Sequence, residues 1–147
     1  MPLNRQDIEA LIPHSGAMSL LDKVLQWDKD HIICLANNHR AKDNPLRSNN
    51  ILSSVCGIEY AAQAMAVHGT LSEPEPTEKP SSGFLVSVRK LELSVSRLDD
   101  IETDMIINAK LLMMDKETFI YRFRISADHR DLLSGQATIF IRRNSIP

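Results

Sequence analysis

The order of apolar and polar positions predicts a short helix at the start of the chain. Asn4 followed by Asp7 is typical of a helix N-cap with an acidic first turn. Ile8, Leu11 and Ile12 then form a short apolar face, which a proline ends at the next position. The pattern therefore favours a brief cap helix.

The next part of the chain predicts a hairpin, a loop and one long helix. Two strand-like stretches, MSLLDKVLQWD and HIICLANNH, meet at the polar turn Asp28–Asp30. The polar segment Ala41–Asn50 holds a proline and three asparagines, which indicates a loop. It leads to the alanine-rich segment SVCGIEYAAQAMAVHGTL, a helix that we expect to end near Gly69 as its C-terminal cap.

The second half of the chain predicts four strands after the solvated connection SEPEPTEKPSS. In the first strand the apolar parity flips across Arg89–Lys90, which indicates a β-bulge. The second strand, from Asp104 to Met114, is apolar on both parities, so we expect it to be covered on both sides. The last two strands alternate and bury one face each, through Phe119, Tyr121, Phe123 and Ile125, and through Leu133, Gly135, Ala137, Ile139 and Ile141.

These elements predict an α+β protein in which an antiparallel sheet of about six strands wraps around one central helix. Consecutive antiparallel strands after the helix argue against alternating strand–helix–strand units. The length of 147 residues suits a single domain, 1–147.

Composition and charge exclude several classes of function. A net charge of -2 gives no reason to expect nucleic acid or an anionic membrane as the main partner. The sequence shows neither a secretory signal nor a membrane span, and it carries no metal-ligand cluster or cofactor motif. Cys34 and Cys56 lack CxxC spacing and lie among apolar residues, which favours buried reduced thiols. We therefore expect a cytoplasmic enzyme without a metal or cofactor.

Three motifs resemble a known family. They are IPHSGAMSLLD from Ile12, the segment from Asn38 to Arg47, and GIEYAAQAMAVHG from Gly57. Together they resemble the hot-dog 3-hydroxyacyl-ACP dehydratases, especially the divergent branch associated with aryl polyene pigment biosynthesis. The resemblance covers roughly the first half of the chain, and the second half matches in its strand pattern.

The resemblance implies a hot-dog fold and a catalytic pair formed by His39 and Glu59. It also implies a homodimer or larger assembly, in which the pair is completed across a subunit interface and an acyl tunnel follows the central helix. The implied partner is an acyl carrier protein that bears the substrate on phosphopantetheine, and a hetero-complex with a second hot-dog protein is open as well. A subset of the cations on the predicted strands would receive that acidic carrier.

The chemistry of dehydration suits these residue types. A base must remove the proton at C2 and an acid must protonate the departing C3 hydroxyl, and His39 and Glu59 can divide these roles. Glu59 has mostly apolar neighbours, so we expect it to be partly buried, as suits a general acid. Gln63, one helical turn later, would orient its carboxyl group. The loop after His39 is longer than in the broader family, so His14 is the alternative base.

Substrate binding is expected at the start of the central helix. The family's glycine amide, which binds the thioester carbonyl, falls on Ser54 by position, and Gly57 belongs to the same helix start. His68 lies near the C-terminal end of the helix, where a histidine can interact favourably with the helix dipole.

Two other functions are consistent with the sequence. A hot-dog acyl thioesterase would use a carboxylate and a water molecule, and would release a free acid. A non-catalytic hot-dog subunit would bind the acyl carrier or stabilise an active partner, and would show Glu59 with no histidine within reach.

Overall fold

The computed structural model describes residues 2–12, 18–72 and 82–142. Within these ranges the order of elements agrees with the predicted one. The helices and strands are α1 (Arg5–Glu9), β1 (Lys23–Asp28), β2 (His31–Ala36), α2 (Gly57–Leu71), β3 (Ser82–Leu93), β4 (Met105–Asp115), β5 (Thr118–Ala127) and β6 (Arg130–Arg142).

Capping chemistry explains the first helix. The Asn4 side chain accepts a hydrogen bond from the Asp7 amide, while the Asp7 carboxylate accepts one from the Asn4 amide. This reciprocal pair is the N-cap that the sequence predicts.

The six strands form one sheet in the order β1-β2-β4-β5-β6-β3, and every neighbouring pair is antiparallel. The sheet packs against α2 through the four strands β2, β4, β5 and β6. The predicted sheet around one helix is therefore confirmed. Its strand β3 lies at the edge, where it pairs with β6 alone among the described strands.

The core lies between α2 and the inner face of the sheet. Eleven of the fifteen residues of α2 are buried, because the sheet encloses the helix on most sides. Small alanines allow this close approach, and large side chains from the strands fill the space between them. The largest of the strand residues are Phe119, Tyr121 and Phe123.

Two glycines of α2 are required by packing. A Cβ atom at Gly57 would lie 2.7 Å from a side-chain carbon of Leu133, and one at Gly69 would lie 2.5 Å from Ile141 Cδ1. The prediction that Gly69 caps the helix is wrong, because the helix continues to Leu71. The absence of a side chain at Gly69 allows close contact with the sheet, and the glycine does not form a left-handed cap.

The predicted bulge in β3 is confirmed. The register between β3 and β6 shifts between Arg89 and Glu92, and Lys90 adopts a left-handed φ of 54°. A second register shift lies between Leu85 and Ser87. With both shifts, Leu85, Val88 and Leu93 pair with the buried residues Ile139, Ala137 and Leu133 of β6.

The prediction that β4 is covered on both sides is wrong for this chain. Its inward residues Met105, Ile107 and Ala109 are buried, but burial stops there. Met113 is 61% exposed and Met114 is 55% exposed. The apolar run continues past the buried half of the strand, so sequence parity alone overstates its burial.

Both cysteines are unpaired, as predicted, and Cys34 is buried while Cys56 is half-buried. Across the described ranges, neither helix combines the length and hydropathy needed to cross a bilayer.

Candidate active site

A groove of about 400 Å³ runs beside α2, next to the edge strand β3. Glu59, Ala62 and Ala66 line one side of it, and their spacing places them on the same helical face. Phe84 and Leu85 of β3 contribute to the lining together with one residue of β6, Ile139. The groove is thus apolar apart from the single carboxylate of Glu59.

The Glu59 carboxylate is exposed in the isolated chain. The expectation that Glu59 is partly buried is therefore wrong for the isolated chain, because its helical face points toward the groove rather than into the core. No ion pair engages Glu59 among the described residues. The carboxylate is free to meet a ligand or a second subunit.

His39 lies in a short 3-10 turn, Asn38–Arg40, directly after β2. Its ring is fully buried, and Nε2 lies 3.0 Å from the carbonyl oxygen of Ile101, to which it donates. Nδ1 is buried without a hydrogen-bond partner in the described part of the chain. Burial lowers the pKa of His39, so the ring is held in its neutral form.

The structure does not bring His39 and Glu59 into contact within the chain. No hydrogen bond or ion pair joins them among the described residues, and the two side chains have different surroundings. Their sequence neighbours do meet, because the Tyr60 hydroxyl donates to Asn38 Oδ1 at 2.7 Å. His14, the alternative base, lies outside the described residues.

A buried polar network connects α2 to the loop that follows His39. The Asn44 amide donates to the Tyr60 oxygen at 3.0 Å and to the Asn38 carbonyl at 2.9 Å. Burial raises the pKa of Tyr60 to about 12, so its hydroxyl keeps the proton that it donates. The network fixes the backbone on which His39 is carried.

Gln63 does not orient Glu59, which corrects the prediction. Its Nε2 donates to the Met18 carbonyl at 2.7 Å, and its Oε1 accepts from the Leu20 amide at 2.9 Å. Both polar atoms of this buried side chain are therefore committed to the segment that precedes β1. Gln63 is an anchor for that segment.

The predicted oxyanion donor, Ser54, is also corrected. Its amide donates to the carbonyl of Ser96 at 3.1 Å, and the Gly57 amide is bound within the 3-10 turn Ser54–Cys56. The Val55 amide has no acceptor among the described residues, and Val55 precedes Glu59 by one helical turn. Sequence position alone does not show which amide is unoccupied, because the fold decides that.

Asp99 positions the start of α2, a role with no sequence signal. Its carboxylate accepts from the Leu52 amide at 2.9 Å and from Arg47 at 3.4 Å, and it also binds Arg97. The Arg97 guanidinium holds the pKa of Asp99 well below its usual range. This ion cluster ties the chain before the helix to the connection between β3 and β4.

His68 joins α2 to the sheet instead of serving the helix dipole. Nε2 lies 2.7 Å from the carbonyl of Asp28 and therefore carries the proton, while the Tyr121 hydroxyl donates to Nδ1 at 2.6 Å. Burial lowers the pKa of His68, which agrees with this neutral tautomer.

Residues 6–145 match the model of a protein family named ApeP-like and described as ApeP dehydratase. A search of curated proteins gave no significant match. Among solved structures, the chain is similar to the dehydratase heterocomplex ApeI:P from Xenorhabdus doucetiae, with a TM-score of 0.81, 22% identity, and coverage of 93% of this chain and 91% of that one.

More distant similarity extends to thioesterases. A Staphylococcus aureus thioesterase mutant gives a TM-score of 0.60 at 12% identity and covers 81% of this chain and 91% of its own. A Pseudomonas aeruginosa thioesterase mutant gives 0.57 at 10% identity, with 81% and 79% covered. At such identities these likenesses establish the fold, which is the hot-dog fold expected from the sequence.

Proposed function

Since the chain belongs to the ApeP-like dehydratase family, we propose that it removes water from a 3-hydroxyacyl thioester carried by an acyl carrier protein. The product is the 2-enoyl thioester, and Glu59 is the general acid. The observation that carries this assignment is the position of Glu59 on an otherwise apolar groove of about 400 Å³.

The groove suits an acyl chain. Ala62 and Ala66 leave room beside the helix, while Phe84, Leu85 and Ile139 offer apolar contact. A hydrocarbon chain laid along these residues would bring its thioester end to the carboxyl group of Glu59. The Val55 amide, one turn earlier, would then donate to the thioester carbonyl as negative charge develops there.

The reaction divides between two groups. A base takes the C2 proton, the electron pair of that C–H bond forms the C2–C3 double bond, and the C3–O bond breaks as Glu59 protonates the leaving hydroxyl. His39 is the proposed base, and its neutral ring has the protonation state that a base requires. Because the ring is buried outside the groove in the isolated chain, this role requires a rearrangement on assembly. His14 stays the alternative.

A second hot-dog subunit is proposed to complete the site. Among the described residues no histidine lines the groove or forms a hydrogen bond or ion pair with Glu59, so we propose that the base approaches from another chain or by rearrangement of this one. The edge strand β3 offers the surface for this, because Phe84, Val86 and Leu93 are exposed along its unpaired side. The hetero-complex form of the ApeI:P relative supports a hot-dog partner, and a homodimer is the other arrangement.

The absence of a histidine in the groove of Glu59, among the described residues, also favours a second candidate function. A non-catalytic hot-dog subunit would retain the groove and the edge strand but would leave catalysis to its partner. Aryl polyene synthesis is the proposed pathway for either form, on the family match, and the cytoplasm is the proposed location because that is where carrier-bound acyl chains are made.

The test compares products. The chain, alone and after co-expression with a hot-dog protein of the same organism, is incubated with a 3-hydroxyacyl carrier protein, and the products are identified by mass spectrometry. Dehydration predicts loss of one water molecule with the acyl group still on the carrier. Release of a free acid would instead indicate a thioesterase.

The partner's share of the activity separates the two candidate functions. If the complex with Glu59→Gln in this chain dehydrates as fast as the unmodified complex, the chain is the non-catalytic subunit and Glu59 is not the acid. A loss of activity in that variant supports catalysis at Glu59.

A further inference from the structure

A second groove, of about 360 Å³, lies on the opposite face of the sheet from α2. Tyr121, Phe123 and Ile125 of β5 are buried toward the helix, so Arg122 and Arg124 between them point outward. The groove is lined by these two arginines, by Lys90 and Lys110, and by the polar residues Asn108, Ser134 and Gln136. It is separate from the apolar groove at Glu59.

Cations dominate the walls of this groove. Lys110 and Arg122 are directly opposed in the ladder between β4 and β5, an arrangement in which like charges repel. Among the described residues, only Arg124 of the four cations has an ion pair, with Asp131 at 3.7 Å. Glu92 is the single carboxylate in the lining.

The floor of the groove supplies uncommitted hydrogen-bond donors. Asn108, Ser134 and Gln136 are half-buried, and their side chains make no hydrogen bond within the described ranges. The sheet registers bring them beside the arginines, since Asn108 and Ser134 both pair with Arg124 and Gln136 pairs with Arg122. Amide and hydroxyl donors beside guanidinium groups form a surface suited to phosphate oxygens.

The bulge in β3 adds a cation from the remaining side. Lys90 occupies the bulge with a φ of 54°, a conformation that a lysine rarely adopts. Bulges commonly redirect a side chain from its regular position in the strand, and Lys90 lines the groove. The bulge at Lys90 therefore adds a fourth positive charge to the groove.

We propose that this groove binds a small anionic ligand carrying a diphosphate group. Lys110 projects from β4 and the two arginines from its neighbour β5, while Lys90 faces them from β3 across β6. Neighbouring strands lie about 4.8 Å apart, so one phosphate group can meet the cations of β4 and β5 while a second one reaches toward Lys90. The groove volume is within the range of small-ligand sites.

The proposal is tested by calorimetric titration of the intact protein, with its partner subunit when the two co-purify, using inorganic pyrophosphate and ADP. We expect saturable binding with a dissociation constant below about 1 mM for at least one probe. Equal affinities assign recognition to the diphosphate alone, while tighter binding of ADP adds a contact with the nucleoside. Both results support the site.

Variants define its location. The double substitution K110Q/R122Q should weaken binding by at least about 10-fold, because it removes two charge-assisted hydrogen-bond donors. Glu92→Gln should strengthen binding, because it removes the opposing carboxylate. Lys29→Gln, on the exposed turn between β1 and β2, is the matched control and should bind as the unmodified chain does.

Absence of saturable binding by both probes overturns the proposal, and so does an equal loss in the Lys29→Gln control. Glu92→Gln preserves the test if the double variant fails to fold. Unchanged or weaker binding in that variant also overturns it. None of these outcomes bears on dehydration, which takes place at the other groove.

Discussion

Replacing Glu59 by glutamine is the sharpest test of the candidate active site. Glutamine keeps the size of the side chain and its hydrogen-bonding shape, but it cannot give up a proton to the leaving hydroxyl. In the isolated chain Glu59 is exposed and without an ion pair in the described ranges, so folding does not depend on its charge. Activity and stability should therefore separate cleanly in this variant.

The size of the effect follows from general acid catalysis. A positioned acid contributes about 10²–10⁴-fold, and each factor of ten corresponds to about 1.36 kcal/mol, so the barrier should rise by roughly 3–5 kcal/mol. The apolar lining provided by Ala62, Ala66 and Phe84 is unchanged, so KM should stay within about threefold while kcat falls. The free energy of unfolding should change by less than about 0.5 kcal/mol, as for other exposed positions.

The assay measures hydration of a 2-enoyl thioester, the reverse reaction, through the loss of enoyl absorbance, with the hot-dog partner present. Thermal unfolding of the same samples reports stability. Glu102→Gln, another exposed carboxylate, is the control and should keep the full rate. A Glu59→Gln enzyme within about threefold of the unmodified kcat would refute the assignment of Glu59 as the acid.

Three further predictions follow from the groove and the core. Ala66→Leu should fill part of the groove and lower kcat/KM for long acyl chains by at least about 10-fold, with a smaller effect on a four-carbon substrate, as steady-state kinetics will measure. Tyr121→Phe should leave the buried Nδ1 of His68 unpaired and cost about 1–3 kcal/mol of unfolding free energy in urea titrations; an unchanged midpoint would contradict the hydrogen bond described. Acid should destabilise the fold, because burial lowers the pKa of His39 and His68 below the ordinary 6.5 and the unfolded chain therefore takes up protons first. The contribution of the two histidines to the free energy of unfolding should be complete above pH 6.5 and decline below it, by at most about 1.4 kcal/mol per pH unit for each histidine. The variant His68→Gln should reduce this slope when unfolding is measured from pH 7 to 5.

Local patterns predict the helices and strands. Alternation in β5 and β6, the parity flip at Lys90 and the alanine-rich helix each depend on neighbours in sequence, and the structure agrees with all three. Glu59 was predicted from the resemblance of the helix motif to the dehydratase family, and the structure places it on the groove beside that helix. Its role as the acid stays a prediction. The spacing of Glu59, Ala62 and Ala66 places small residues on the helical face that bears the carboxylate, which agrees with the groove on that face.

Contacts between distant segments account for what the sequence did not predict. Whether an amide is free depends on its acceptor, and the acceptor of Ser54 lies 42 positions away, at Ser96. Gln63 reads as a partner for Glu59 by helical spacing, yet the backbone of Met18 and Leu20 takes both of its polar atoms. Gly69 satisfies the local rule for a helix cap, but contact with Ile141 explains it.

If the proposed hot-dog partner covers the exposed edge strand β3, the abundance of this protein is linked to that of the partner. A subunit that covers Phe84, Val86 and Leu93 would bind the folded chain but not the unfolded one. By mass action, the apparent free energy of unfolding would then rise with the concentration of that subunit. A surplus of the unpaired chain carries an apolar strand edge that invites irregular pairing and removal by cellular quality control. Under the proposed assembly, the uncovered edge of β3 would therefore make balanced synthesis of the two subunits necessary.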